Sequence, residues 1–332
     1  MSYDDTVTIA VDAMGGDHAP GVVLEGVASA LAKDERLQVV LVGPAEVVEP
    51  FASSHARCIA QPASEVIAMG EHPAQAVRRK KDSSIVVGCR AVKEGHAQGF
   101  FSAGSTGACL AAATLGIGRI KGVQRPALCS VIPSPVAPVV MADIGANADC
   151  KPEYLVQFAQ MASIYAEKVV GIEHPRVALL NIGEEDTKGS QFAQQAFSLM
   201  KDNVSGFVGN AEGNDIITAK YDVIVTDGFT GNVVLKTVEG TAKALFDALK
   251  GVMTSSLKTK IGALAVKGDL KALKDSISAD TYGGAPLLGV AGVCLVGHGS
   301  SNATAIENGV LASASMVRKD VTGLIAEAVG KR

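Results

Sequence analysis

Short apolar runs rich in β-branched residues alternate with helical patterns along almost the whole chain, and this alternation restricts its fold more than any other feature. The pattern predicts strands at residues 7–11 and 37–42, with a helix at 20–33 between them. Repeated strand–helix units build a sheet that carries helices on both faces. We therefore predict an α/β fold of three layers, α/β/α, around a large and mostly parallel mixed sheet.

One step in the pattern lacks the intervening helix. Residues 128–132 and 139–142 are both strand-like, and a short proline-rich turn joins them. Strands with so short a connection pair antiparallel, so we predict one antiparallel pair within the sheet. No linker rich in Pro, Gly or Ser divides the chain. We expect residues 1–332 to form a single α/β domain with two intertwined lobes.

Charge and composition exclude several classes of protein. The chain has 30 Lys and Arg against 34 Asp and Glu, a formal net charge of −4, which argues against a general nucleic-acid binder. The amino terminus carries acids where a secretory signal would be basic. The six cysteines have no metal-ligand spacing. We therefore expect a cytoplasmic protein with free thiols, no metal site and no transmembrane segment.

Residues 251–278 differ from the rest of the chain in charge. Between residues 250 and 275 there are six lysines and two aspartates, and apolar residues recur at helical spacing. We predict a hairpin of two basic amphipathic helices, separated at Gly268-Asp269. Two interpretations stay open: a dimerisation or core-facing hairpin with solvated lysines, or an element on an anionic membrane surface. The residues predicted to contact the membrane are Leu257, Lys258, Lys260, Ile261 and Leu264.

Glycine, hydroxyl and amide residues follow the predicted strands in a series of loops. Glycine is abundant, at 36 residues of 332, but the signatures of dinucleotide, P-loop, zinc-protease and serine-hydrolase sites are missing. Ligands of open α/β sheets bind at the carboxyl ends of the strands. We therefore expect most of these loops to form a site at one sheet edge. The loops are residues 12–18, 102–107, 143–147, 181–185, 209–215, 226–232 and 297–302.

Three of the loops lead into predicted helices, at 106–115, 232–250 and 303–318, and have the composition of anion-binding sites. Glycine lets backbone N–H groups approach a phosphate, and a helix N-terminus adds positive potential. One such loop is also ordinary N-cap chemistry, whereas several at one edge favour a phosphate-type ligand. The residues predicted to bind phosphate are Gly104, Ser105, Thr106, Gly107, Thr230, Gly231 and Asn232.

Charged and titratable residues near the loops have two interpretations. His18 and His298 either carry protons or stabilise an oxyanion, or they are structural. A run of four cations is either a solvated helix end or a docking patch for an acidic partner or phosphate group. These cations are Arg78, Arg79, Lys80 and Lys81.

A set of collinear motifs resembles the bacterial phosphate acyltransferase family PlsX over residues 7–318. The motifs are DAMGGD, SAGSTGA, DIGAN, NIGEE, VTDGFTGN, YGGAPLLG and HGSSN. The resemblance implies conversion of acyl-[acyl carrier protein] and inorganic phosphate into acyl phosphate, an acyl donor for phospholipid synthesis. It also implies a fold similar to phosphotransacetylases and isocitrate/isopropylmalate dehydrogenases. In one departure, the family commonly has Asn-Thr-Gly where this chain has Ser105-Thr106-Gly107, and both side chains can donate a hydrogen bond.

The resemblance further implies partners and a location. Members of the family are homodimers that associate peripherally with the inner face of the cell membrane. They pass their product to a membrane-bound glycerol-3-phosphate acyltransferase. This favours membrane contact for residues 251–278. Because acyl carrier proteins are acidic, residues 78–81 or the lysine-rich hairpin are the predicted docking sites.

The implied reaction needs no cofactor and no Ser or Cys nucleophile, because phosphate itself attacks and a thiol leaves readily. We predict direct attack of bound phosphate on the thioester, with N–H donors stabilising the oxyanion. The residues placed in the catalytic cleft are Asp17, His18, Asn147 and His298. Two alternatives stay open: an acetate-kinase-like phosphoryl transferase that requires ATP and Mg²⁺, and a non-catalytic sensor of a phosphate metabolite.

Overall fold

In the computed structural model, which describes residues 6–134, 136–276 and 282–330, eleven strands form one sheet. In chain order the strands are β1 (Val7–Asp12), β2 (Leu37–Gly43), β3 (Cys58–Pro62), β4 (Gly99–Ser102), β5 (Ala127–Ile132), β6 (Val139–Ala142), β7 (Val177–Leu180), β8 (Phe207–Ala211), β9 (Val223–Val225), β10 (Ala285–Leu288) and β11 (Val293–Val296). Across the sheet their order is β3-β2-β1-β4-β11-β10-β5-β6-β9-β7-β8.

Helices connect most of these strands. They are α1 (Gly21–Lys33), α2 (Ala45–Ser54), α3 (Pro73–Arg79), α4 (Ser84–Lys93), α5 (Thr106–Ala112), α6 (Pro152–Tyr165), α7 (Gln191–Asn203), α8 (Asp215–Thr218), α9 (Gly228–Thr254), α10 (Leu257–Ala265), α11 (Lys267–Ser276), α12 (Ala303–Arg318) and α13 (Val321–Gly330). α5 and α6 continue as π-helical turns, at Ala113–Ile117 and Ala166–Val170.

Two layers of helices cover the sheet, as the alternation of strands and helices predicts. Side chains of one strand point alternately to the two faces, so Ile9 and Val11 belong to one buried cluster and Ala10 to the other. The first cluster includes buried residues of α1, α6, α7, α12 and α13. The second includes residues of α3, α4 and α5, with the start of α9 packed against it. The three-layer α/β/α architecture is confirmed.

The two halves of the sheet run in opposite directions. β3, β2, β1, β4 and β11 are mutually parallel, and so are β6, β9, β7 and β8. Three antiparallel pairs, β11 with β10, β10 with β5, and β5 with β6, lie between the halves. The last of these is the predicted antiparallel pair. Because three reversals leave the halves opposed, the prediction that the loops share a single sheet edge is wrong.

The basic segment forms two helices, but its division differs from the prediction. α10 begins with a capping box, in which Ser256 and Thr259 bond each other's backbone N–H groups. The break between α10 and α11 lies at Val266, and Asp269 is in the first turn of α11. The predicted separation at Gly268-Asp269 is therefore wrong. The end of the predicted hairpin, residues 277–278, lies outside the described residues. Within the part of the chain that the structure describes, no helix is long and apolar enough to cross a membrane.

Candidate functional site

A cavity of about 460 Å³ lies where the two halves of the sheet meet. One wall comes from loops that follow β1, β4 and β11. The opposite wall comes from β5, the loop after β6 and the first turns of α9. The carboxyl ends of the two half-sheets therefore contribute to one cavity although their strands run in opposite directions. The loops after β7 and β8, at 181–185 and 209–215, do not line it.

The loop after β1 is joined to the loop after β4 by a buried carboxylate. Asp12 accepts hydrogen bonds from the hydroxyl of Ser102 at 2.7 Å and from the amide of Met14 at 3.0 Å. The same hydroxyl accepts the amide hydrogen of Gly104 at 2.9 Å. Burial raises the pKa of Asp12, and hydrogen bonds from Ser84, Ser102 and Met14 act in the opposite direction.

Gly15 is required for this close approach of the two loops. A Cβ at position 15 would lie 2.8 Å from Asp12 Oδ2, from Ser102 Oγ and from the amide nitrogen of Gly104. These separations are shorter than real Cβ contacts, so any side chain would push the loops apart. The DAMGGD motif thus fixes the backbone beneath the predicted phosphate loop.

In the predicted phosphate loop 104–107, the first two residues are buried and the last two line the cavity. Ser105 is buried and caps α5 by accepting the amide hydrogen of Ala108 at 3.4 Å. Gly104 is also buried. Thr106 and Gly107, the first two residues of α5, line the cavity. Their backbone groups belong to the end of a helix that attracts anions.

On the opposite wall, the DIGAN loop is organised by a second buried carboxylate, Asp143. Its oxygens accept amide hydrogens from Leu128, Ala146 and Asn147 at 2.7–3.0 Å. Burial raises the pKa of Asp143, and the hydrogen bonds from Ala146 and Asn147 act against that shift. The side-chain amide of Asn147 donates to Asp143 and to the carbonyl of Pro126, each at 2.8 Å. Asn147 does not line the cavity.

α9 starts four residues before its predicted beginning, so Thr230 and Gly231 lie in its first turn and Asn232 just after it. Asp227 caps the helix through the amide of Thr230 at 2.8 Å and also accepts the Thr230 hydroxyl at 2.8 Å. A Cβ on Gly231 would lie 1.9 Å from the carbonyl oxygen of Asp143. Asn232 lines the cavity, whereas Thr230 and Gly231 do not.

The HGSSN loop contains His298, and the hydrogen bonds to its ring identify the tautomer. The amide of Ser300 donates to Nδ1 of His298 at 3.3 Å, and the Ser300 hydroxyl lies 2.9 Å from the same nitrogen. An amide only donates, so Nδ1 acts as an acceptor and the neutral ring carries its proton on Nε2. His298 lines the cavity. At the end of the loop, Asn302 caps α12 through the amide of Ala305 at 2.9 Å.

The other predicted catalytic residues lie in different surroundings. Asp17 lines the cavity, and its amide donates to the carbonyl of Gly299 at 2.7 Å, which ties the β1 loop to the HGSSN loop. His18 is exposed and does not line the cavity. Among the described residues, no group of three His, Cys, Asp or Glu side chains is placed to hold a metal ion.

Two charged residues of the cavity were not predicted as site residues from the sequence, and Tyr282 was named only as part of the YGGAPLLG motif. Lys236 and Glu239 lie on α9 and form an ion pair, with Nζ and Oε2 2.7 Å apart. Their spacing from Asn232, four and seven residues, is the helical repeat of one face and was the available signal. Tyr282 is half-buried at the cavity edge, and burial raises its pKa.

The predicted docking cations are not equivalent. Arg78, Arg79 and Lys81 are exposed around the end of α3. Lys80 is half-buried, forms an ion pair with Glu71 at 2.7 Å and donates to the carbonyl of Val66 at 2.7 Å. Three of the four cations are therefore open to a partner.

The predicted membrane residues lie away from the cavity. Leu257, Ile261 and Leu264 are 77%, 62% and 71% exposed, and Lys258 and Lys260 are on the same helix, α10. A groove of about 780 Å³ runs between α9, α10 and α11. Its lining is apolar and basic and includes Lys260 and Leu264 but not Lys258.

Comparisons with known proteins agree on one family. A family model described as fatty acid synthesis protein matches residues 7–324. A phosphate acyltransferase of Desulfitobacterium hafniense is 50% identical over 306 residues, covering 91% of each chain. A phosphate acyltransferase of Heliobacterium modesticaldum is 48% identical over 324 residues, covering 96% of each chain.

Solved structures that are distant in sequence share the fold. A phosphotransacetylase from Streptococcus pyogenes has a TM-score of 0.58 at 14% identity and covers 94% of both chains. A branched-chain phosphotransacylase from Enterococcus faecalis has a TM-score of 0.60 at 14% identity, covering 95% of this chain and 99% of that one. A 4-hydroxythreonine-4-phosphate dehydrogenase from Klebsiella pneumoniae has a TM-score of 0.51 at 13% identity, covering 93% and 98%. The likeness to phosphotransacetylases is the one predicted, and the likeness to a dehydrogenase is consistent with the predicted dehydrogenase-like fold.

Proposed function

Because the chain belongs to the fatty acid synthesis protein family of phosphate acyltransferases and is an acyltransferase, we propose that it transfers the acyl group of acyl-[acyl carrier protein] to inorganic phosphate. The product is an acyl phosphate, which serves phospholipid synthesis. Membership of an enzyme family removes the non-catalytic sensor from consideration.

The observation that carries this proposal is the meeting of three helix N-terminal regions at one cavity. Thr106 of α5, Asn232 of α9 and Ser301 before α12 all line it. The starts of α5 and α12 offer positive potential and N–H groups without intrahelical partners, whereas α9 contributes Asn232, since its first-turn residues Thr230 and Gly231 do not line the cavity. Such an arrangement suits a reaction in which a dianion and a developing oxyanion are held side by side. Phosphate and the thioester carbonyl are that pair.

The proposed reaction needs little acid–base catalysis from protein side chains. An oxygen of hydrogen phosphate attacks the carbonyl carbon, the C–S bond breaks, and the phosphate proton ends on the departing sulfur. Because a thiol has a pKa of about 8.5, its departure needs little acid assistance. The protein contributes orientation and oxyanion stabilisation.

Each predicted site residue receives a role consistent with its place. Thr106 and Gly107 hold phosphate from one wall and Asn232 from the other. His298 presents an Nε2 proton to the oxyanion, and Asp17 borders the reacting groups. The remaining residues support the binding groups: Gly104, Ser105, Thr230, Gly231 and Asn147 shape the loops, while His18, which is exposed and does not line the cavity, follows Asp17 in the loop after β1.

Two surfaces serve the partners of the proposed reaction. An acidic acyl carrier protein docks on Arg78, Arg79 and Lys81, which are exposed cations. Leu257, Ile261 and Leu264 enter the interface of an anionic membrane, which Lys258 and Lys260 attract electrostatically. Their high exposure supports this assignment. The protein acts as a cytoplasmic homodimer at the inner face of the membrane and delivers product to a glycerol-3-phosphate acyltransferase there.

A trapping assay tests the proposed reaction. The purified protein is incubated with acyl-[acyl carrier protein] and phosphate, without nucleotide or divalent metal, and acyl phosphate is captured as the hydroxamate. The proposal requires hydroxamate that depends on both substrates. Hydroxamate that appears only when ATP and Mg²⁺ are added would instead identify an acetate-kinase-like phosphoryl transferase.

A further inference from the structure

The cavity has an uneven charge distribution. Among the described residues that line it, Lys236 is the only lysine or arginine, whereas Asp17 and Glu239 supply two carboxylates. A phosphate dianion that enters this space is repelled by both carboxylates. Helix N-termini offset part of that repulsion. The ammonium group of Lys236 is the one full positive charge among the described lining residues that can offset the remainder.

Lys236 lies on the side of α9 that faces the cavity. It follows Asn232 by four residues, so the two side chains share one face of α9. Leu235 and Glu239 also line the cavity, which shows that this face of the helix is turned towards the site. The ammonium group of Lys236 therefore belongs to the wall that already carries Asn232.

The partner of Lys236 is within the same cavity. Its Nζ lies 2.7 Å from Oε2 of Glu239, and the two side chains are 54% and 37% exposed. Ion pairs with this degree of exposure contribute little to stability, because water screens the two charges. A phosphate dianion, with twice the charge and more acceptor oxygens than a carboxylate, can therefore replace Glu239 as the partner of Lys236.

We propose that Lys236 is the phosphate-binding cation of the site and that Glu239 holds its ammonium group until phosphate replaces it. The inference rests on the proposed function, because it assigns to inorganic phosphate the place that Glu239 occupies in the free protein. When product leaves, Glu239 takes back the ammonium group, which lowers the affinity of the site for the departing acyl phosphate. Glu239 is thus a positioning residue that acts through Lys236.

The test compares variants of the full-length protein by equilibrium dialysis with radiolabelled inorganic phosphate and by the KM for phosphate. Lys236→Met is expected to weaken phosphate binding about tenfold or more, the loss of one charged hydrogen bond. Lys236→Arg is expected to restore most of the affinity. Glu239→Gln is expected to tighten phosphate binding several-fold, because the competing carboxylate is gone.

Lys243→Met serves as the matched control, since Lys243 is exposed on the same helix and lines neither the cavity nor the groove. It removes the same charge and is expected to leave phosphate affinity unchanged. Equal melting temperatures of wild type and Lys236→Met establish that the variant is folded. If Lys236→Met does not fold, Lys236→Gln and the Glu239→Gln arm still test the proposal.

The double variant Lys236→Met/Glu239→Gln distinguishes positioning from a separate effect of Glu239. If Glu239 acts through Lys236, the gain from Glu239→Gln disappears in the Lys236→Met background. Unchanged phosphate affinity in Lys236→Met, or a gain that persists in the double variant, would overturn the proposal. Dialysis needs no acyl substrate, so a wild type that binds phosphate but forms no acyl phosphate contradicts the proposed function and leaves this inference standing.

Discussion

The Ser102 hydroxyl donates to the buried Asp12 carboxylate across 2.7 Å and accepts the amide hydrogen of Gly104 across 2.9 Å. One side chain at the end of β4 therefore connects the first strand of the fold to the loop that leads into α5. Thr106 and Gly107 follow that loop by only two residues. The geometry of the cavity wall thus depends on a hydroxyl that does not itself line the cavity.

Ser102→Ala is expected to lower the free energy of unfolding by about 1–3 kcal/mol, because it removes one hydrogen bond from the buried Asp12 carboxylate and leaves the buried amide of Gly104 without its acceptor. We also expect a higher KM for phosphate, since the 104–107 backbone is no longer fixed. Denaturant unfolding and steady-state kinetics measure the two effects.

Ser163→Ala is the control for this prediction. The Ser163 hydroxyl bonds the carbonyl of Ala159 in the preceding turn of α6, an interaction of little or slightly negative value to a helix. Its loss is expected to change stability by less than about 0.5 kcal/mol. A Ser102→Ala variant as stable as Ser163→Ala, with an unchanged KM, would contradict the role given to Ser102.

Stability at low pH is expected to depend on Asp222. Burial works to raise the pKa of Asp222, but hydrogen bonds from Arg176 at 2.8–2.9 Å outweigh burial, and the pKa is lowered below the ordinary value of 3.8. Because the pKa of Asp222 is lower in the folded state, the ionised carboxylate stabilises the fold. This stabilisation is complete above about pH 3.8 and is lost as the pH falls through the lower pKa of the folded state. The carbonyl of Asp222 also accepts the amide of Val140, which fixes β9 beside β6.

Asp222→Asn is therefore expected to show a smaller loss of unfolding free energy on acidification below about pH 3.8 than the wild type shows. Asp202→Asn, an exposed position on α7, is expected to follow the wild-type curve. Urea unfolding at a series of pH values measures the difference. Parallel curves for wild type and Asp222→Asn would mean that the pair with Arg176 does not control acid stability.

Docking of the acyl carrier protein is expected to depend on the exposed cations of α3. Arg78→Glu/Arg79→Glu should raise the KM for acyl-[acyl carrier protein] while the KM for phosphate stays constant, because the partner is acidic and the cavity is untouched. The effect should shrink as ionic strength rises. Lys121→Glu/Arg125→Glu is the control, with the same charge change at two exposed positions elsewhere. Equal carrier KM values for the two double variants would remove this patch as a docking site.

Membrane contact is expected to depend on the apolar residues of α10. Leu257→Glu/Ile261→Glu should lower binding to vesicles of phosphatidylethanolamine and phosphatidylglycerol by more than about tenfold, since burying each side chain contributes about 1.5–3 kcal/mol. Ile182→Glu/Val208→Glu introduces the same charges at apolar positions that are 79% and 52% exposed, and should leave binding nearly unchanged. Sedimentation with the vesicles measures both. Full sedimentation of the α10 variant would contradict membrane contact.

The parts of the fold that depend on local pattern were predictable. β1 (VTIAVD) and β11 (VCLV) are short, largely apolar runs with buried side chains on both faces, and they lie where the pattern placed them. Ser105 and Asn302 cap helices as their residue types predict. The insertion of β10 between β11 and β5 was not predictable, because its pairing with β5 joins segments that are distant in sequence.

Tertiary contacts determine the features that the sequence analysis missed. Gly228 and Gly231 are poor helix formers, so the predicted start of α9 fell after them. Both are helical because their missing side chains let α9 pack on the Asp143 loop. In the sequence, Lys236 and Glu239 have the charge expected of a solvent-exposed helix face. The tertiary packing of α9 places that face at the cavity.

The most direct measurement of the proposed reaction follows radiolabelled acyl groups through a single turnover in nucleotide-free and metal-free buffer. We predict that acyl-[acyl carrier protein] is lost and acyl phosphate is gained in equal amounts, only when phosphate is present, with no label bound to the enzyme. Label on the enzyme in the absence of phosphate, or loss of thioester without acyl phosphate, would contradict direct attack by phosphate bound between the two half-sheets.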